Sequence, residues 1–145
     1  MAVLAGFVAI NPASLSLGGL ILAVAVGCWT AGFDIVYAIL DVDFDRQHHI
    51  YSLPARIGVP NALVVSRILH LISVSGFALA GYMLGLGIIF TIGVILTGIM
   101  LIYEHTLIKP NDLSRVNLDF FTVNGIISVL LASSGLMDIL ILKKG

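Results

Sequence analysis

LSLGGLILAVAVGCWTAGFDIVYAIL occupies residues 15–40, and DVDFDR follows at once at residues 41–46. Inside the first run the only charged side chain is Asp34. About 20 apolar residues rising 1.5 Å each are enough to cross the roughly 30 Å hydrocarbon core of a bilayer. The run shows no period-two alternation, so a barrel strand is excluded. In lipid, where backbone N–H and C=O groups find no water, the remaining solution is a helix. The turn-like Asn11-Pro12-Ala13-Ser14 opens it. This segment therefore predicts a transmembrane helix that leaves the bilayer through an acidic end.

Three further runs of the same kind follow, at about residues 61–84, 86–107 and 116–142, and residues 1–10 read as a stub, the tail of a preceding hydrophobic helix. The chain is predicted to be an all-α integral membrane protein, a single transmembrane helix bundle over residues 1–145. Composition agrees: 59% of the 145 residues are hydrophobic and 10% are charged, against about 25% charged in a soluble domain. The net charge of -1, without any Lys/Arg run, excludes a nucleic-acid binder that works by neutralising phosphates. Cys28 is the single cysteine, so no internal disulfide or thiolate cluster can form. Gly81, Gly85 and Gly87 mark the break between the second and third spans. Gly18, Gly19, Gly76, Gly93, Gly98 and Gly125 lie inside spans, where small residues let helices approach.

Four crossings put the polar loops 41–60 and 104–115 on one side. They carry Arg46, Arg56, Lys109 and Arg115, whereas the other side has only Lys143 and Lys144. The positive-inside rule places both loops in the cytoplasm of a multi-pass protein of the cell (inner) membrane.

The candidate chemistry lies at the acidic end. On a continuous helix Asp34, Asp41 and Asp45 fall within about 40° of one another, with Tyr37 beside them and Asp43 opposite. Carboxylates at i and i+4 offer hard oxygens of the kind Mg²⁺ prefers, and Mg²⁺ commonly bridges to substrate phosphates. Arg46, Arg56, Lys109 and Arg115 are the candidates for direct contact with a diphosphate. Capping of a helix end in the headgroup region accounts for Asp43 but not for Asp34, which lies seven residues deep, where acids mark function. The run 41–45 also resembles the opening of an EF-hand loop, but Arg46 stands where glycine is required and Ser52 where glutamate is. His70, in the second span, and Asn117 and Asn124, seven apart on one helix face, are candidates for lining a cavity. Interhelical hydrogen bonding is the other reading of the asparagines. His48 and His49 read as loop histidines, Arg67 as snorkelling, Trp29 as packing or tunnel lining, and Tyr103-Glu104-His105 as a helix end at the interface. Asp138 reads as a boundary residue. A membrane transporter subunit that binds divalent cations through the same stripe is the alternative, although a transporter places its acids near the midplane.

The run Tyr37-Ala38-Ile39-Leu40-Asp41-Val42-Asp43-Phe44-Asp45, followed by Ser52-Leu53-Pro54-Ala55-Arg56-Ile57-Gly58, resembles the second Asp-rich motif of the UbiA prenyltransferase superfamily, whose D-x-x-x-D is here Asp41 and Asp45. Tyr103-Glu104-His105, Asp112–Asn117 and Phe120–Gly125 resemble the bacterial 4-hydroxybenzoate polyprenyltransferase-like branch, which includes enzymes of menaquinone and ubiquinone synthesis. The resemblance implies half of a bundle of about nine helices. It also implies Mg²⁺ held by Asp41 and Asp45, with Asp34 and Tyr37 taking part in the reaction. A polyprenyl diphosphate would be the donor and a hydroxylated aromatic acid the acceptor. The family's first motif, N-D-x-x-D-x-x-x-D, is absent from these 145 residues. The match is to the C-terminal half alone, so a missing N-terminal half is an expected partner and the chain by itself is expected to be inactive or nearly so.

Overall fold

The computed structural model describes residues 16–108 and 121–142. Six helices follow one another: α1 (Leu17–Leu40), α2 (Val42–Gln47), α3 (Leu53–Ile57), α4 (Val59–Met83), α5 (Ile88–Leu107) and α6 (Phe121–Leu142). Of these, α1, α4, α5 and α6 are long and apolar enough to cross a membrane. The all-α membrane bundle expected from the sequence is what forms. The stub at residues 1–10 and the start of the last span near residue 116 lie outside the described residues.

Each helix end has a local cause. α1 begins where the Ser16 hydroxyl accepts the Gly19 N–H at 3.1 Å, which satisfies one of the donors that a helix start leaves unpaired. The polar loop 41–60 holds α2 and α3. Ser52 caps α3 by accepting the Ala55 N–H. Gly58, at φ 83, turns the chain into α4, which therefore starts at Val59 rather than near residue 61. α4 ends in a Schellman motif: Leu86 N–H reaches the Gly81 carbonyl at 2.9 Å and Gly85 N–H the Tyr82 carbonyl at 3.2 Å. Gly85 supplies the left-handed residue that this cap requires, φ 66. The third span consequently begins at Ile88, not at residue 86.

α5 takes its N-terminal cap from another helix. Asp138 of α6 accepts the Gly87 N–H at 2.7 Å with Oδ1 and the Phe90 N–H at 2.9 Å with Oδ2. A carboxylate there also complements the positive end of the helix dipole. Asp138 is 1% exposed, so near this end of the last span it is also a buried tie between α5 and α6.

Packing follows two pairs. α1 lays Ala25, Trp29, Gly32, Val36 and Ile39 against the Ala62, Leu63, Ser66, Ser73, Phe77 and Ala80 face of α4. α5 and α6 form the second pair. Closest approach falls at glycines, as expected where lipid gives helices no hydrophobic drive to associate. A Cβ on Gly76 would lie 2.8 Å from the Ala25 Cβ, and one on Gly93 would overlap Ser134. Gly125 has nothing within 4 Å, so the packing role expected for it is not found among the described residues.

The buried polar side chains lie inside an otherwise apolar core, and the outer surface is largely aliphatic. Leu71, Ile102 and Val129 are each 69% exposed, while Ser66, Thr97 and Glu104 are at 0%. Polar groups kept inside and aliphatic side chains turned outward are what hydrocarbon surroundings demand.

Candidate functional site

The acidic segment is bent. α1 stops at Leu40, Asp41 adopts φ -102 and ψ 9 with its N–H on the Ile39 carbonyl, and α2 starts at Val42. The single straight rod expected to carry all three carboxylates therefore breaks at Asp41, because this residue leaves helical geometry. Asp34 stays on α1, exposed. Asp41, at the joint, is exposed too, whereas Asp45 on α2 turns inward to 7% exposure. The i to i+4 relation of Asp41 and Asp45 survives, since Asp45 N–H bonds the Asp41 carbonyl at 2.8 Å.

Around them, Arg46 and Arg56 are exposed and form no ion pair among the described residues. Lys109, Arg115 and Asn117 lie outside the described residues. Tyr37 ends an aromatic ladder on α1. Trp29 and Phe33 meet edge to face at 5.9 Å between centroids, and Phe33 and Tyr37 at 6.3 Å. His48 stacks on Phe44 at 3.9 Å and directs Nδ1 to the Phe44 carbonyl at 3.0 Å. Among the described residues no three His, Cys, Asp or Glu side chains gather as a ready-made metal cage.

A second constellation sits in the core. The Trp29 indole N–H donates to Asn124 Oδ1 at 2.9 Å, and Asn124 Nδ2 donates to Glu104 Oε2 at 2.9 Å. Indole is a donor only, so the order of donation along this chain is fixed. His70 Nδ1 lies 3.0 Å from His105 Nε2 and 3.9 Å from Glu104 Oε1. The His70 ring rests over Gly32 so closely that any Cβ there would overlap it. Ser66 donates to the Gly32 carbonyl at 2.8 Å. Four transmembrane helices meet in this network. Asn124 was a candidate for cavity lining or for interhelical bonding, and it makes the second kind of contact. Glu104 lies at the helix end, in the last turn of α5, and is also the centre of this network. The signal was present in the spacing of Phe90, Val94, Thr97, Leu101 and Glu104, which share one face of α5.

Two cavities adjoin the network. One of about 620 Å³ lies between α1, α4, α5 and α6, lined by Leu22, Val26, Trp29, Phe77, Phe90 and Leu131 among others. The second, about 410 Å³, is a groove between α4 and α5 that includes Arg67, His70 and His105. Neither is lined by Asp34, Asp41 or Asp45.

The sequence profile of the UbiA prenyltransferase family matches residues 1–126, most of the chain. This chain belongs to the UbiA prenyltransferase family. No curated protein and no solved structure matches it. Prenyl transfer within a membrane is the general activity that UbiA membership implies, and the matched region contains the Asp-rich bend, the buried network and both halves of the α4–α5 groove. This UbiA chain is a multi-pass membrane protein by its four apolar spans.

Proposed function

We propose that the bend at Asp41 is the diphosphate end of a Mg²⁺-dependent prenyltransferase. In this reading the enzyme transfers a polyprenyl group from its diphosphate to a hydroxylated aromatic acid of the 4-hydroxybenzoate or dihydroxynaphthoate kind, in quinone synthesis. The observation that carries the reading is the pair Asp41 and Asp45, one helical turn apart at the mouth of a transmembrane helix in a chain of this family.

The donor set suits Mg²⁺. Two carboxylates that have no cation paired to them among the described residues leave most of an octahedral shell to phosphate oxygens and water, the way this ion is usually held. Asp41 and Asp45 are the residues that would hold it, and it would supply charge stabilisation for the departing diphosphate. Arg46 and Arg56, both exposed on the same loop, and Lys109 and Arg115 are proposed to contact phosphate oxygens. Asp34 and Tyr37 act deeper along α1. The 620 Å³ cavity, walled mostly by aliphatic and aromatic side chains toward the opposite end of α1, suits the far part of an isoprenoid tail.

Asp34 supports the reading from another direction. An exposed carboxylate inside an apolar span costs a few kcal/mol against hydrocarbon. Its face, which also carries Gly27, Ala31 and Asp41 as exposed residues, is therefore suited to face further protein or a water-filled site. The sequence holds one Asp-rich motif, so turnover is expected only when a polypeptide bearing the other is supplied. The test is prenyl transfer by the reconstituted assembly with Asp41→Asn and Asp45→Asn variants. The reading expects Mg²⁺-dependent transfer that each substitution abolishes. Transfer unchanged by both would overturn it.

A further inference from the structure

We propose that the outward groove between α4 and α5 is a binding site for one anionic phospholipid, its phosphate held at Arg67 and an acyl chain laid along Leu71, Val74, Gly98 and Ile102. This face of α4 and α5 lies apart from the Asp-rich bend, and the inference does not depend on the catalytic reading.

Arg67 starts the argument. It lies eight residues into α4, about 12 Å along the helix axis, and its side chain is exposed. No carboxylate pairs with it among the described residues. A guanidinium on the lipid-facing side of a span is costly unless an anion or the headgroup layer meets it. Its planar fork of donors matches a phosphate better than a lone ammonium does.

The groove gives that anion an address. Its polar end is formed by Arg67, His70, His105 and Thr106, and the remainder is aliphatic apart from Gly98. Thr106 donates its hydroxyl to the Tyr103 carbonyl at 2.7 Å and so keeps acceptor capacity. His105 Nε2 is engaged with His70, while its Nδ1 is enclosed and has no partner among the described residues. Buried polar atoms are normally satisfied, so a group missing its partner beside an unpaired cation marks a place for a ligand. Gly98 sets the depth of the apolar part. A Cβ there would meet Val74 Cγ1 at an ordinary 3.5 Å, so the absence of a side chain is not forced by helix packing and leaves the groove open. Leu71 and Ile102, each 69% exposed, form its rims, which places the opening toward the bilayer rather than toward an aqueous phase. A polar, cationic head region with an aliphatic trough opening sideways into lipid fits a phospholipid with net negative charge.

The experiment is native mass spectrometry of the full chain in detergent, titrated with phosphatidylglycerol, phosphatidylcholine or inorganic phosphate. Phosphatidylglycerol is expected to bind about fivefold or more tightly than phosphatidylcholine, the advantage of about one basic residue near an anionic headgroup, and inorganic phosphate is expected not to compete. Arg67→Gln should remove that preference and Arg67→Lys should keep part of it. Gly98→Leu, which fills the trough without touching the charge, should weaken both lipids. Asp41→Asn should change nothing, which separates this site from the diphosphate end. Trp29 fluorescence checks that each variant keeps its fold. Undiminished preference for phosphatidylglycerol in folded Arg67→Gln, or equal binding of the two lipids by the unmodified chain, would overturn the proposal.

Discussion

Glu104, Asn124 and Trp29 show how a few buried polar groups fix helices whose outer faces are nearly featureless. Replacing Asn124 by Leu strands the Trp29 indole N–H and one Glu104 oxygen together. A lost interhelical bond in membrane proteins typically costs about 0.6 kcal/mol and at most about 1.7, and stranding two buried groups puts Asn124→Leu at the upper end. Unfolding by a denaturing detergent, followed by the emission of Trp29, the chain's single tryptophan, is expected to shift to lower denaturant by that amount. Gly32 gives a contrasting pair with Gly125. Gly32→Ala drives a methyl group into the His70 ring and is expected to destabilise by about 1–3 kcal/mol. Gly125→Ala enters open space and is expected to stay within about 0.5 kcal/mol. The same denaturation curves check both. The sequence placed Asn124 on an interior face and marked Asp34 as unusual. It did not disclose Glu104 as a hub, because Trp29, Glu104 and Asn124 lie on three segments and periodicity assigns a face without naming the partner across it.

At the scale of elements, the long helices were legible because length and apolarity alone identify a span. Their ends were less so. The start of α4 depends on Gly58 in an extended positive-φ conformation, and the start of α5 depends on a carboxylate 48 residues beyond Phe90 in sequence, which no local pattern reports. Asp138→Ala removes both acceptors at that start and leaves the buried Phe90 N–H without its partner. A loss of about 1–2 kcal/mol is expected, with faster amide hydrogen exchange at Gly87 and Phe90 as the local readout. Unchanged exchange there would show that the cap is not what holds the helix start. The bend at Asp41 escaped the sequence reading for a related reason. Leu40 and Val42 continue the helical pattern without interruption, so the joint is visible only in the backbone.

For the whole molecule, two helix pairs flank an apolar cavity and hold a polar network between them, while α1 turns Asp34 and Asp41 to an open face. In the proposed activity the carboxylate edge takes the anionic leaving group, and the apolar cavity farther along α1 takes the hydrocarbon tail. The central claim is that Asp41 and Asp45 hold a diphosphate through Mg²⁺. It is tested most directly by the equilibrium binding of geranyl diphosphate to the purified chain in detergent, titrated with and without Mg²⁺ and repeated on Asp41→Asn/Asp45→Asn. Binding that requires Mg²⁺ and falls by about two orders of magnitude in the double variant, the loss of several kcal/mol of metal-mediated attraction, is the expected result. Binding of equal strength without Mg²⁺, or undiminished when both carboxylates are neutralised, would contradict it.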